Sequence, residues 1–188
     1  MDKRLENLVD VVTALIDTLE PSGVEYAFGG AIALSAWSEP RATTDVDINL
    51  WISDEALPRA IELLHEAGVD IEENAARQSA QHRGMFVGKH GPYRVDVFVP
   101  SIPFYEKARA TRRRIQLADR ETWVLSAEAL TVFKMLFFRA KDLVDIARLL
   151  EIAATHFDRD FVRNALVDVV GEDDERVLKW DEICAQAR

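Results

Sequence analysis

The stretch "DVDINLWI", residues 45–52, limits the fold more than any other part of the chain. Val46, Ile48, Leu50 and Ile52 alternate with Asp45, Asp47 and Asn49. A period of two is that of a β-strand, whose successive side chains point to opposite faces. One face is apolar and must be buried. The other carries two carboxylates and an amide, and a carboxylate in a sheet needs a cation or water. Two carboxylates at i and i+2, a little under ~7 Å apart, can share a hard cation or hold a pair of them.

Two other readings of Asp-x-Asp-x-Asn fail on their own requirements. A calcium loop needs Gly at its sixth position and Glu at its twelfth. Here those positions are Leu50 and Ala56. A haloacid-dehalogenase-like nucleophile motif follows an apolar strand, but the residues before Asp45 are the polar "RATT". A second strand-like stretch, "YRVDVFVP", places Arg94, Asp96 and Phe98 on one face and Val95, Val97 and Val99 on the other. Asp96 is thus a third carboxylate on a core-building strand. Taken alone, a salt bridge to Arg94 or Arg41 accounts for it. Three such aspartates on two strands favour function.

Upstream, "YAFGGAIALSAW" runs from an apolar strand through Gly29-Gly30 into a helix. Glycines there let a phosphate approach the backbone, and the first helical N–H groups point at it. The turn lies about fifteen residues before the Asp pair.

The rest of the 188-residue chain reads as a helix over 4–19, a strand at 24–28, a helix at 31–37 and a helix at 55–68. Asp54 is the expected cap of that last helix and Gly68 its stop. Residues 72–83 are polar and expected to be loop. Strands at 84–88 and 93–99 flank "KHGP" as a hairpin, and "RIQLA" and "TWVL" flank a turn at "DRE". After Ser126 four stretches are helical in pattern. The expected organisation is an α/β (α+β) core over 1–125, a mixed sheet flanked by helices, with a helical portion over 126–188 packed on it.

Net charge is −10, which disfavours broad nucleic-acid binding. The one basic run is "KARATRRR" (107–114), where five of eight residues are Lys or Arg; a solvated helix end leading into a strand accounts for it. No apolar run reaches the ~20 residues of a membrane span, and the N-terminal residues lack signal-peptide features. Cys184 is the only cysteine, so no intrachain disulfide forms, and a cytoplasmic location is expected. His65, His82, His90 and His156 show no metal-ligand spacing. Phe133, Phe137 and Phe138 read as core.

Together, Gly29-Gly30, "RATTDVD", Asp96 and a later "FKMLFFRAKDLVDIARLL" resemble the DNA polymerase β-type nucleotidyltransferase superfamily. More narrowly they resemble its small bacterial branch of AbiEii-type toxins and minimal nucleotidyltransferases. The resemblance spans roughly residues 24–150. It implies Mg²⁺ or Mn²⁺ at Asp45, Asp47 and Asp96, with Asp96 also able to take the acceptor's proton. It implies an NTP held at Gly29, Gly30, Arg41, Thr43 and Thr44. Lys134 becomes a phosphate contact across the cleft, and Lys141-Asp142 and Asp145 complete the helical motif. For these helical residues a surface ion-pair face is the plain alternative. The implied reaction moves a nucleoside monophosphate to an acceptor hydroxyl of tRNA, protein or a small molecule. A toxin restrained by an antitoxin partner and an antibiotic-modifying enzyme both fit. The chain departs from the pattern after the first glycine: Gly30 stands where many members have Ser, and Ala31 follows. That departure motivates the alternative of a weak or inactive nucleotide-binding homologue.

Overall fold

A computed structural model describes residues 7–117, 119–153 and 157–186. The expected helix start at 4–6, Ala118 and the helix end at 154–156 lie outside the described residues. Six strands form one mixed sheet: β1 Glu25–Phe28, β2 Asp45–Trp51, β3 Met85–His90, β4 Tyr93–Phe98, β5 Arg113–Leu117 and β6 Arg120–Val124. Their order is β3-β4-β2-β1-β6-β5. β3–β4 and β5–β6 are the two expected hairpins. β2 is an interior strand, third in that order, antiparallel to β1 and parallel to β4.

The alternation in β2 decides its placement. Val46, Ile48 and Leu50 are fully buried, and so are Val95 and Val97 of β4. Each such side chain contributes about 1.5–3 kcal/mol on burial. A one-residue slip would send all of them to the carboxylate side. The register therefore puts Asp47 directly opposite Asp96.

Among the described residues the helices are α1 Leu8–Ser22, α2 Gly30–Trp37, α3 Leu57–Glu66, α4 Glu73–Arg83, α5 Phe104–Thr111, α6 Ala127–Phe137, α7 Ala140–Ala153, α8 Arg159–Val170 and α9 Glu175–Gln186. α1 opens with a capping box between Asn7 and Asp10 and ends at Gly23, which takes a left-handed φ of 76°. α2 rests on β2, β6, α6 and α7, while α6 touches α5, α7, α8 and α9. Buried apolar side chains from Val11 to Trp180 form one cluster. None of the described helices is long and apolar enough to cross a membrane.

Two expectations fail. Residues 72–83 are not loop: α4 occupies 73–83. Glu72 caps it by accepting hydrogen bonds from the N–H groups of Asn74 and Ala75, and Gly84 stops it at φ 66°. Its buried residues are only Ala76 and Ala80, too weak an apolar stripe to read as periodic. Asp54 is not the cap of α3; it begins a 3₁₀ turn over Asp54–Ala56 that leads into the helix, with Ser53 before it.

Candidate active site

One cleft collects most of the residues singled out above. Gly29, Gly30, Arg41, Thr43, Asp45, Asp47, Asn49, Asp96 and Lys134 all line it. The cleft is partly open to solvent, and its empty space, counted out into that solvent, is about 740 Å³. Thr44 is exposed and does not line it.

The glycine turn is built against β2. Gly29 donates its N–H to the Asp47 carbonyl at 2.8 Å, which fixes the start of α2 beside the carboxylate face. Gly30 has φ 50°, and a Cβ there would lie 1.8 Å from Asp47 Oδ2. The glycine is therefore required by the Asp47 carboxylate, which occupies the space a side chain would take. This gives a physical reason for Gly at position 30 of this chain. Gly30→Ala is expected to displace Asp47 and cut turnover at least a hundredfold, measured as kcat; unchanged turnover would show that the carboxylate need not sit there.

Asp47 is mostly buried and shares its face with two like charges. Burial first, then the Asp96 and Asp45 charges, push its carboxyl up to about 6, against weaker opposition from Lys134 and Arg139. Asp96 Oδ1 accepts a hydrogen bond from Arg94 Nε at 2.7 Å, the partner foreseen for it as a plain structural residue. Thr43 Oγ1 is engaged with the Asp45 backbone, donating to its carbonyl and accepting from its N–H, both at 3.1 Å. Asn49, buried on the same face, donates to the Ala27 carbonyl at 3.3 Å and packs under Gly29. It braces the turn.

Among the described residues no group of three or more His, Cys, Asp or Glu stands close enough as placed to hold a metal ion. The donor set nonetheless suits a hard divalent cation. It is all carboxylate, Asp47 and Asp96 face each other across neighbouring strands ~5 Å apart, and the like charges around Asp47 favour a cation there.

Of the helical residues, Lys141 is exposed, but the two aspartates are not part of a surface ion-pair face. Asp142 and Asp145 are almost fully buried, as is Lys134. Lys134 Nζ donates to Asp145 at 2.7 Å and Asp142 at 3.3 Å. Asp145 also meets Arg41, and Asp142 meets Arg139 Nε at 2.6 Å. Burial pushes the Asp142 carboxyl up, but its Arg139 hydrogen bond and the Lys134 charge outweigh this and lower it. Arg139 was not foreseen; no periodicity marks a residue in the connection between two helices. Phe137 is also not core: it is 48% exposed and lines the cleft beside Phe98.

Four of the five basic residues in the run are held in ion pairs, and Arg113 donates to the Thr111 carbonyl. Lys107 pairs with Asp168, Arg109 with Glu25 and Glu106, Arg112 with Glu25, and Arg114 with Glu20 and Glu121.

A mixed sheet with a carboxylate face beside a glycine turn is the nucleotidyltransferase fold, and solved structures bear this out. The antibiotic-resistance factor ANT(2'')-Ia superposes with a TM-score of 0.60 at 12% identity, covering 85% of this chain and 89% of that one. The lincosamide antibiotic adenylyltransferase LnuA superposes at 0.52 and 19% identity, covering 76% and 96%. An antigenic nucleotidyltransferase-like protein from Paracoccidioides brasiliensis gives 0.50 at 16% identity, covering 95% and 91%. No curated protein matches in sequence. The sequence model of the nucleotidyl transferase AbiEii toxin family, of type IV toxin–antitoxin systems, matches residues 14–183. The chain belongs to this family, and it is a nucleotidyltransferase.

Proposed function

We propose that the protein transfers a nucleoside monophosphate from an NTP to an acceptor hydroxyl, in the cytoplasm, with Mg²⁺ or Mn²⁺ held by Asp45, Asp47 and Asp96. The observation that carries this reading is the convergence of a three-carboxylate face and the N-terminus of α2 in one cleft. The bound ions would supply charge stabilisation to the entering and leaving oxygens of an in-line displacement. Backbone N–H groups at Gly30 and Ala31 bind the triphosphate, replacing the hydroxyl that Gly30 and Ala31 lack. Asp96, released from Arg94, accepts the proton of the attacking hydroxyl. The sheet portion up to residue 125 provides the carboxylates, and the helical portion from 126 closes the cleft from the other side.

The family supports a toxin role, with a partner antitoxin that restrains it. The test is incubation with each labelled NTP, Mg²⁺ and parallel acceptors: tRNA, protein and antibiotic. Label should appear on one acceptor class and vanish with EDTA. Binding of NTP without transfer to any acceptor would favour a homologue acting by association. Growth arrest on expression, relieved by a neighbouring gene product, checks the toxin role separately.

A further inference from the structure

Lys134 looks from the sequence like the cation that meets phosphate, but its ammonium is otherwise engaged. It lies at the centre of a buried hub, 2.7 Å from Asp145 and 3.3 Å from Asp142. Each of these aspartates binds an arginine on its outer side. Asp145 holds Arg41, with both contacts at 3.3 Å, and Asp142 holds Arg139 through Nε at 2.6 Å and Nη2 at 3.3 Å. Both arginines line the cleft. The hub carries three positive and two negative charges, so it has one positive charge in excess.

Arg139 is placed with particular care. Phe138 takes a left-handed φ of 54°, uncommon for a bulky residue, at the end of α6. Arg139 follows, and its guanidinium stacks over the ring of Phe137 at 4.8 Å. A guanidinium has five N–H donors. Asp142 uses two of them, which leaves three for an anion in the cleft. Arg139 lines the same cleft as Asp47 and Asp96.

We propose that Arg41 and Arg139 are the paired phosphate contacts of this cleft, and that Lys134 is the positioning residue that holds them through Asp145 and Asp142. The ligand class is a nucleoside triphosphate, and the inference rests on the nucleotidyl-transfer reading above. A planar, always-charged fork suits bidentate phosphate binding better than an ammonium already sharing two carboxylates.

The test is calorimetric titration of the full chain with Mg²⁺ and each NTP. Arg41→Gln and Arg139→Gln should each weaken binding at least tenfold, and Arg139→Lys should recover only part of the loss. Positioning is read from double-mutant cycles, since Lys134 variants risk misfolding. Asp145→Asn should weaken binding in the wild-type and Arg139→Gln backgrounds but add nothing to Arg41→Gln. Asp142→Asn should show the converse pattern. A generally structural role would make both aspartate effects the same in every background, and would overturn the proposal. So would wild-type affinity in Arg139→Gln. If the wild-type protein binds no NTP, the nucleotidyl-transfer reading itself falls and this inference with it; if it binds and transfers while Arg139→Gln is silent, only the inference falls.

Discussion

Asp47→Asn is expected to abolish transfer while stabilising the metal-free fold. The catalytic part follows from its place at the centre of the carboxylate face, where an amide brings one neutral carbonyl oxygen in place of a charged carboxylate and holds a divalent cation far more weakly. A loss of at least a thousandfold in kcat is expected. The stability part follows from its environment. Its folded-state carboxyl sits near 6, against an ordinary value of 3.8. The folded protein therefore binds this proton more tightly than the unfolded chain does. Between those two values the folded state holds more protons, so stability falls as pH rises, and above about pH 7 the full penalty applies. A shift of about two units corresponds to about 3 kcal/mol. Asn carries no charge and escapes that penalty. In EDTA at pH 8 the variant should melt several degrees above wild type; at pH 4 the gain should disappear. Adding Mg²⁺ should raise the melting temperature of the wild type and leave the variant unmoved. A variant equally active, or one less stable at pH 8 in EDTA, would refute the account.

Lys134→Met should have the largest effect on stability. It would leave Asp142 and Asp145 buried without their shared cation, each keeping only its arginine partner. Breaking a buried ion pair by removing one partner costs about 3–5 kcal/mol. Exposed pairs such as Arg59–Glu62 are worth at most about 1 kcal/mol, so Arg59→Met should be nearly silent. Without the lysine, whose charge helps lower the Asp142 carboxyl, Asp142 would hold a proton more readily in the folded state. Part of the loss should then be recovered as pH is lowered from 8 to 5. Chemical denaturation at both pH values measures this. A cost under 1 kcal/mol at pH 8 would mean that the hub is not a structural unit.

The strands that carry the site were legible because their chemistry is local. Val46, Ile48 and Leu50 alternate with Asp45 and Asp47 over a few residues, and only a strand can separate them. Asp96 could be found the same way. Gly29-Gly30 was found by its position before a helix, although its reason was not. The glycine was expected to admit phosphate, and Gly30 proves also to make room for Asp47. Helix α4 was hidden because its buried face is two alanines, and its cap is a glutamate rather than a Ser, Thr, Asp or Asn.

The sequence by itself determined which residues share a face: two carboxylates and an amide on β2, one carboxylate on β4, and a lysine within an apolar helix. Side-chain periodicity is a property of the local backbone and needs no partner. Only the tertiary structure decided what those faces meet. Asp47 lies opposite Asp96 because β2 and β4 pair in parallel although α3, α4 and β3 separate them along the chain. Asp142 and Asp145 are buried because α7 folds back on α6 and brings them to Lys134, and Arg41 reaches Asp145 from 104 residues away in sequence. Such contacts depend on long-range packing, which no local pattern encodes. They turn an apparent surface charge run into a buried hub behind the cleft.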